Sequence, residues 1–206
     1  MNGFSIVGIG TDVGKTLVSI AAVELLEAAY FKPIQAGDLT QSDTLKVKKW
    51  CSSNIEIIDE VYRLSEPMAP HAAAEIDGIT IRLDKIEKPI VSRPLIVEGA
   101  GGIFVPLNEK ETMLDVYKKM NLPIILVSRH YLGSINHTFL TIEAIQSAGL
   151  NIAGIVYVGE ESKHTEEIID AFYKLKLLGR ISIPEKLDKA YVQSSANALS
   201  SLLYEL

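Results

Sequence analysis

The sequence predicts an α/β fold with a largely parallel sheet and helices on both faces. Three observations carry this. Short apolar runs alternate with longer amphipathic segments along the whole chain. The runs are apolar nearly throughout rather than alternating, as strands buried on both faces are. The residues fit for chemistry fall just after those runs, at the carboxyl ends of strands, where ligands of such sheets bind. At 206 residues the chain suits a single domain spanning 1–206.

The elements read in order as follows. "FSIVGI" (4–9) is a strand, and 15–29 is a helix with Leu17, Ile20, Ala21, Leu25 and Ala28 at helical spacing. "FKPI" (31–34) is a short second strand, and a helical patch runs from Ser42 to Trp50. Residues 65–78 form a Pro-containing loop with a short helix through Ala72–Glu75. Thr80 can cap a helix to Lys88. "PLIVEGAGG" (94–102) is β-rich, and Thr112 can cap a helix to Met120. "PIILVS" (123–128) is a buried strand, followed by a helix from Ser134 to Ala148 that ends at Gly149. "IAGIVYV" (152–158), a helix over 162–176, "LLGRISI" (177–183) and a closing helix, "SANALSSLLYEL" (195–206), complete the chain.

Composition narrows the function. Hydrophobic residues make up 48% and charged residues 22%, an ordinary globular balance. The net charge of −6 gives no basic footprint for nucleic acid. No run reaches the ~18 apolar residues of a membrane span. The single cysteine, Cys51, excludes an internal disulfide or a cysteine metal cluster. A cytoplasmic setting is the simplest expectation, and the N-terminal run reads as a first strand rather than a signal peptide.

"GIGTDVGKT" (8–16) follows a strand and opens a helix, the context of a phosphate-binding loop. Its spacing departs from the usual one. Five residues, not four, separate Gly8 from Gly14, and Ile9 stands where the first glycine is expected. Even so, Gly10, Thr11, Asp12, Val13 and Gly14 can turn backbone N–H groups onto phosphates, with the helix N-terminus behind them. Lys15 would reach the β- and γ-phosphates, Thr16 would offer its hydroxyl to Mg²⁺, and Leu17 closes the nucleotide-binding stretch in the first turn of the helix. The fold class is therefore that of a P-loop NTPase-type three-layer fold.

Glu98 ends an apolar strand, where the acidic partner of such a loop sits. Gly99, Ala100, Gly101 and Gly102 follow it with almost no side-chain bulk, open to close approach by a ligand. Lys32 sits just before a proline and could offset phosphate charge. Asp43 lies near a helix start, and Ser134, Ile135 and Asn136 open a helix whose N–H groups could bind a carboxylate. Taken singly, each has a plainer reading. Lys32 would be a surface lysine, Asp43 a dipole-stabilising acid, Ser134 a helix cap and Glu98 a solvated turn residue.

Taken in order, "GTDVGKT" (10–16), "KPIQAGD" (32–38), "SD" (42–43), "EPMAPH" (66–71), "VEGAGG" with "VPL" (97–107) and "LGSINH" (132–137) resemble the dethiobiotin synthetase family over most of the chain. The resemblance implies ring closure on 7,8-diaminopelargonate with CO2 or bicarbonate, a nucleoside triphosphate (ATP) as co-substrate, and Mg²⁺. It implies that Lys15, Lys32 and Thr11 serve the phosphates and the carbamate, and that Thr16, Asp43 and Glu98 gather the metal. It places the diamine against Lys32, Ala36, Gly99–Gly102, Val105 and Pro106. The substrate's far carboxylate would meet Gly133, Ser134, Ile135 and Asn136 of a neighbouring subunit, in a homodimer with shared sites. Pro184 and Glu185 would lie by the nucleotide base. The extra loop residue would make room for Thr11 and Asp12 to face the substrate.

Three departures from the family pattern stand out. Ala36 replaces a hydroxyl residue near the phosphates. Val158, followed by Gly159, replaces an asparagine that reads adenine. "EAAYFKP" leaves little room between the first helix and Lys32. His71 reads as a helix-entry histidine packed against the loop. Rivals fare worse. A cobyrinate-type amidotransferase would need an attached glutaminase domain. A GTPase would need an Asn-Lys-x-Asp element. A positioning ATPase would need a second lysine ahead of the loop, and Gly8–Val13 contains none.

Overall fold

A computed structural model describes residues 3–52 and 54–204 of the chain. Strand β1 (Gly3–Gly8) leads through the glycine loop into helix α1 (Lys15–Leu26). Strands β2 (Ala29–Phe31) and β3 (Ile34–Ala36), helix α2 (Asp43–Trp50), strands β4 (Ile57–Ile58) and β5 (Tyr62–Leu64), and helix α3 (Pro70–Ile76) follow. Next come β6 (Leu95–Gly102), α4 (Met113–Met120), β7 (Ile124–Arg129), α5 (Ser134–Ser147) and β8 (Ile152–Val158). The chain closes with α6 (Lys163–Tyr173), β9 (Leu177–Ile181), α7 (Lys189–Ala198) and a 3-10 turn over Ser200–Tyr204.

Seven strands form one sheet in the order β4-β2-β6-β1-β7-β8-β9, and every registered pair in it is parallel. Strand β1 lies in the middle, with Ile6 opposite Glu98 on one side and Ile125 on the other. The chain leaves β1 toward β2 on one side and β7 toward β8 on the other. Right-handed crossovers in opposite directions put their helices on opposite faces. Thus α1 packs with α2 and α7, while α5 packs with α6. Phe4, Ile6, Val7, Ile96, Val97, Ile125, Leu126 and Val127 are buried, as uninterrupted apolar runs require. No helix among the described residues is long and apolar enough to cross a membrane.

Several elements differ from the sequence expectation, each for a local reason. The strand expected at 31–34 breaks at Lys32–Pro33, because Pro33 has no N–H to continue the ladder. Its carbonyl instead accepts from Val61 and Tyr62. The chain then enters a separate two-stranded sheet, β3 with β5. The helix expected at 80–88 shrinks to one 3-10 turn, Leu83–Lys85. Its two fully buried apolar residues, Ile81 and Ile86, stand five apart and cannot share a helix face. Arg82 N is satisfied by the Tyr62 hydroxyl at 3.0 Å instead.

Helix α1 ends at Leu26, three residues short of the expected Ala29. Glu27 turns left-handed at φ 48°, and Ala28 N closes the turn on Val23 O. That early stop frees the residues that build β2, so the short "EAAYFKP" connection suffices. The closing helix begins six residues earlier than expected, at Lys189, where the Asp188 carboxylate accepts from Tyr191 N at 2.8 Å. It gives way to the 3-10 turn after Ala198, and the expected helical residues 205–206 lie outside the described ones.

Leu126→Ala, in the middle of β7 and fully buried, is expected to lower unfolding stability by ~2–5 kcal/mol. Leu177→Ala at the sheet edge, 55% exposed, is expected to cost under ~1 kcal/mol. Chemical denaturation of the two variants measures the difference.

Candidate functional site

A cleft of about 670 Å³ opens at the carboxyl ends of β1, β2 and β6. Thr11, Asp12, Gly14, Lys15, Thr16 and Leu17 supply one wall. Lys32, Gln35, Ala36, Asp38, Asp43 and Lys46 supply a second, and Glu98, Ala100, Gly101 and Val105 a third. The segment 67–70 closes its rim. A larger depression of about 860 Å³ lies between α3 and residues 107–111. No buried charge converges on it, so the smaller cleft is the candidate site.

The loop takes its shape from backbone conformations that few side chains tolerate. Asp12 sits at φ 57° and Gly14 at φ 95°. Gly14 is the N-cap of α1, and a Cβ there would meet Val158 Cγ1 at 2.8 Å. Only glycine can turn the chain into the helix at this point. The Lys15 side chain folds back across the loop, with Nζ donating to Gly10 O at 2.8 Å.

The charged groups form one chain. Glu98 is fully buried. Its Oε1 accepts from Thr16 Oγ1 at 2.8 Å and from Lys32 Nζ at 3.2 Å, and its Oε2 accepts from the Tyr30 hydroxyl at 2.9 Å. Lys32 Nζ also donates to Asp43 Oδ2 at 2.6 Å, and Lys46 Nζ donates to Asp43 Oδ1 at 3.0 Å. Strand periodicity explains the convergence. Lys32 follows Tyr30 by two, just past the end of β2, Glu98 follows Ile96 by two on β6, and Tyr30 is registered with Ile96. Asp43 is presented by the first turn of α2, where Ser42 accepts from Leu45 N. Gln35 braces that turn, its Oε1 accepting from Asp43 N at 3.3 Å.

Burial and neighbours set the charge states. Burial drives the Lys15 ammonium down to about 8, with Lys32 adding to the fall and Glu98 opposing it. Burial also opposes the charge on Lys32, but Glu98 and Asp43 outweigh it and hold Lys32 above the usual lysine range. Burial works against the Asp43 carboxylate, yet Lys32 and Lys46 hold it at about 2. Burial, with Glu98 beside it, keeps the Tyr30 phenol protonated well above its ordinary range.

Some expected site residues are placed elsewhere. Val13 points into the core, which leaves only its backbone to the loop. Gly99 is shielded from the cleft, because a Cβ there would run into the Tyr117 hydroxyl. The close approach at Gly99 is by Tyr117, not by a ligand. Gly102 packs on Gly10, with 3.6 Å between its Cβ position and Gly10 Cα. Pro106 bridges to Thr112 in an isolated antiparallel contact, and Pro184 and Glu185 follow β9 away from the cleft lining. Gly133, the N-cap of α5 at φ 100°, and Ser134, Ile135 and Asn136 after it do not line the cleft either. Val158 is buried beneath Gly14, so its side chain cannot face a base. His71 is exposed and touches the 106 loop through its backbone N–H, which donates to Pro106 O.

Tyr30, Gln35 and Lys46 are site residues that sequence reading missed. Tyr30 was findable, since it lies two residues before Lys32 on the same strand face. Gln35 and Lys46 depend on where α2 docks, which no local pattern reports.

The donor set suits a hard cation. Two carboxylates and a hydroxyl, all oxygen, converge beside the phosphate loop, as Mg²⁺ requires when phosphates complete its shell. No cluster of three His, Cys, Asp or Glu side chains gathers among the described residues.

The chain is similar to several known proteins. The sequence profile of a family described as an AAA domain matches residues 2–190. An ATP-dependent dethiobiotin synthetase of Christiangramia forsetii is 48% identical over 204 residues, covering 98% of each chain. One from Rhodopseudomonas palustris (strain BisB18) is 38% identical, covering 92% of this chain and 91% of the relative. Among solved structures, a plasmid partition protein of Borrelia burgdorferi bound to AMPPNP superposes with a TM-score of 0.60 at 15% identity, covering 98% of each chain. The septum site-determining protein MinD of Pyrococcus horikoshii, complexed with Mg-ADP, gives 0.56 at 16%, covering 98% of this chain and 94% of that one. These structures establish the fold, and the curated relatives establish the family. The chain belongs to the ATP-dependent dethiobiotin synthetase family.

Proposed function

We propose that the chain closes a urea ring on 7,8-diaminopelargonate, using CO2 and ATP and releasing ADP and phosphate, as a step of biotin biosynthesis. The observation that carries this beyond a generic ATPase is the second lysine. Lys32 lies across the cleft from the loop and is anchored between Asp43 and Glu98. A switch ATPase needs to bind a triphosphate. A synthetase must also hold a second anion, the carbamate, against the γ-phosphate.

The chemistry follows from the charges. One amine of the substrate takes up CO2 as a carbamate. A carbamate oxygen attacks the γ-phosphorus, the bond to the β-phosphate oxygen breaks, and ADP leaves. The second amine then attacks the carbonyl carbon of the carbamic–phosphoric anhydride, expels phosphate and loses its proton. Lys15 swings from the Gly10 carbonyl to the phosphates, and Thr11 reaches toward the same oxygens. Lys32 orients the carbamate, bringing two anions into line at close range. Thr16, Asp43 and Glu98 would hold Mg²⁺, which would supply charge neutralisation on the triphosphate. Ala100, Gly101 and Val105 leave a low wall for the diamine. The carboxylate end would rest on Gly133–Asn136 of a second copy in a homodimer. A cytoplasmic location suits the free thiol of Cys51.

Given Mg-ATP and bicarbonate, phosphate release is expected to rise many-fold on addition of the diamine. Release indifferent to the diamine would overturn the synthetase reading. Lys15→Gln and Lys32→Gln are each expected to lower turnover by ~10²–10³, the scale of losing one preorganised charge donor.

Val158 offers no hydrogen bond to a base. CTP, GTP and UTP are therefore expected to support turnover within ~10-fold of ATP, since one missing hydrogen bond is worth about 1 kcal/mol. A strict ATP requirement in the same assay would show that backbone groups read the base.

The lowered Lys15 predicts a pH dependence. Burial holds the Lys15 ammonium down at about 8, whereas a triphosphate beside it favours the charged form. Above that pH, binding must take up a proton, so nucleotide affinity falls as pH rises. Calorimetry from pH 7 to pH 9.5 should show wild-type affinity dropping toward ~10-fold per unit. Lys15→Gln should be flat over the same window.

A further inference from the structure

We infer that Tyr30 is a positioning residue that sets how Glu98 presents itself to the metal, limiting it to one oxygen and so selecting Mg²⁺ over larger cations. This rests on the reading that Glu98 faces the metal.

Glu98 is fully buried, and three side chains hydrogen-bond to it. Its two oxygens have different partners. Oε1 faces the cleft, touched by Thr16 Oγ1 and Lys32 Nζ. Oε2 faces away and holds the Tyr30 hydroxyl at 2.9 Å. Tyr30 is itself completely buried, in the strand next to β6 and in register with it. Its ring cannot swing out without opening the sheet, and its hydroxyl is buried with it. Oε2 is therefore held by the phenol on the side away from the cleft, and a cation that takes the place of Lys32 beside Thr16 meets Oε1.

That commitment bears on the identity of the cation. Mg²⁺ demands near-ideal octahedral geometry with single-oxygen carboxylate ligands. Ca²⁺ takes about six to eight oxygens and accepts a carboxylate through one oxygen or through both. A carboxylate pinned by a phenol on one oxygen fits the first and handicaps the second. Tyr117 serves as the internal comparison. It is as deeply buried and lies against Gly99, the residue after Glu98, yet its hydroxyl points to Ile6 O at 3.5 Å and makes no hydrogen bond to Glu98.

The test is calorimetric binding of the non-hydrolysable imidodiphosphate analogue of ATP in EDTA, in Mg²⁺ and in Ca²⁺, without diamine. Wild type is expected to bind more tightly in Mg²⁺ than in Ca²⁺ by about tenfold or more. Tyr30→Phe keeps the ring, and with each affinity referred to the variant's own binding in EDTA, its Mg²⁺-to-Ca²⁺ ratio should collapse severalfold toward one. Tyr117→Phe should keep the wild-type ratio.

A wild-type protein that binds equally well in the two cations overturns the inference, whether or not any variant folds. So does a Tyr30→Phe protein with the wild-type ratio. If Glu98→Gln matches wild type in all three media, Glu98 is not at the metal, and the underlying reading falls with the inference. If Glu98→Gln loses the Mg²⁺ effect while Tyr30→Phe keeps the ratio, only the inference falls.

Discussion

The buried carboxylate of Glu98 is the constraint on which the rest of the site depends. An ionised carboxylate without solvent is costly unless every lone pair is matched. Here the matching groups come from three separate elements: Thr16 from α1, Tyr30 from β2 and Lys32 just beyond it. None of them can move independently. Shifting β2 by one residue would turn both Tyr30 and Lys32 to the opposite face, leaving Glu98 stranded. The network therefore ties the register of β2 and β6 to the start of α1. In doing so it fixes where the phosphate loop ends.

The two lysines divide the electrostatic work. Lys32 has two carboxylates against it and is firmly charged. Lys15 has only a carbonyl, at 2.8 Å, and its charge is weakened by burial. The first is already committed within the protein, and the second is satisfied only when an anion arrives. An incoming triphosphate therefore gains most from Lys15, while Lys32 holds its geometry whether or not substrate is present. This asymmetry suits a reaction in which the nucleotide must bind and leave while the place of the second anion stays fixed.

Much of the fold was legible because its strands are buried on both faces and carry an unambiguous apolar signal. Strands β1, β6, β7 and β8 fall within about two residues of expectation. The errors came where local pattern and tertiary contact disagree. "ITIRLDKI" has enough polar spacing to suggest a helix, but its buried residues, Ile81 and Ile86, are set by contact with neighbours. Strands β4 and β5, two and three residues long, give no periodic signal and exist only through their partners. In the site, Lys15, Thr16, Lys32, Asp43 and Glu98 were legible because each sits next to a strand end or helix start. Gly99 was misread, because a glycine is equally needed where a ligand approaches and where a tyrosine does. The spacing of "GAGG" cannot separate the two.

The positions of Gly133 to Asn136 give a reason for a second copy. These residues open α5 with an exposed helix N-terminus, yet they lie off the cleft of their own chain. The residues before them are Tyr131 and Leu132, 42% and 104% exposed, and Ile135 in the first turn is 38% exposed. Phe104, beside the cleft residue Val105, is 60% exposed. Apolar side chains so close in sequence to the proposed substrate anchors are costly in water, whereas covering them against another copy would recover the burial. A homodimer would place the start of α5 over a neighbour's cleft, where a carboxylate-bearing chain would emerge. Under that arrangement the exposed apolar surface around the start of α5 would be covered, and the cleft of each chain would be finished by the other.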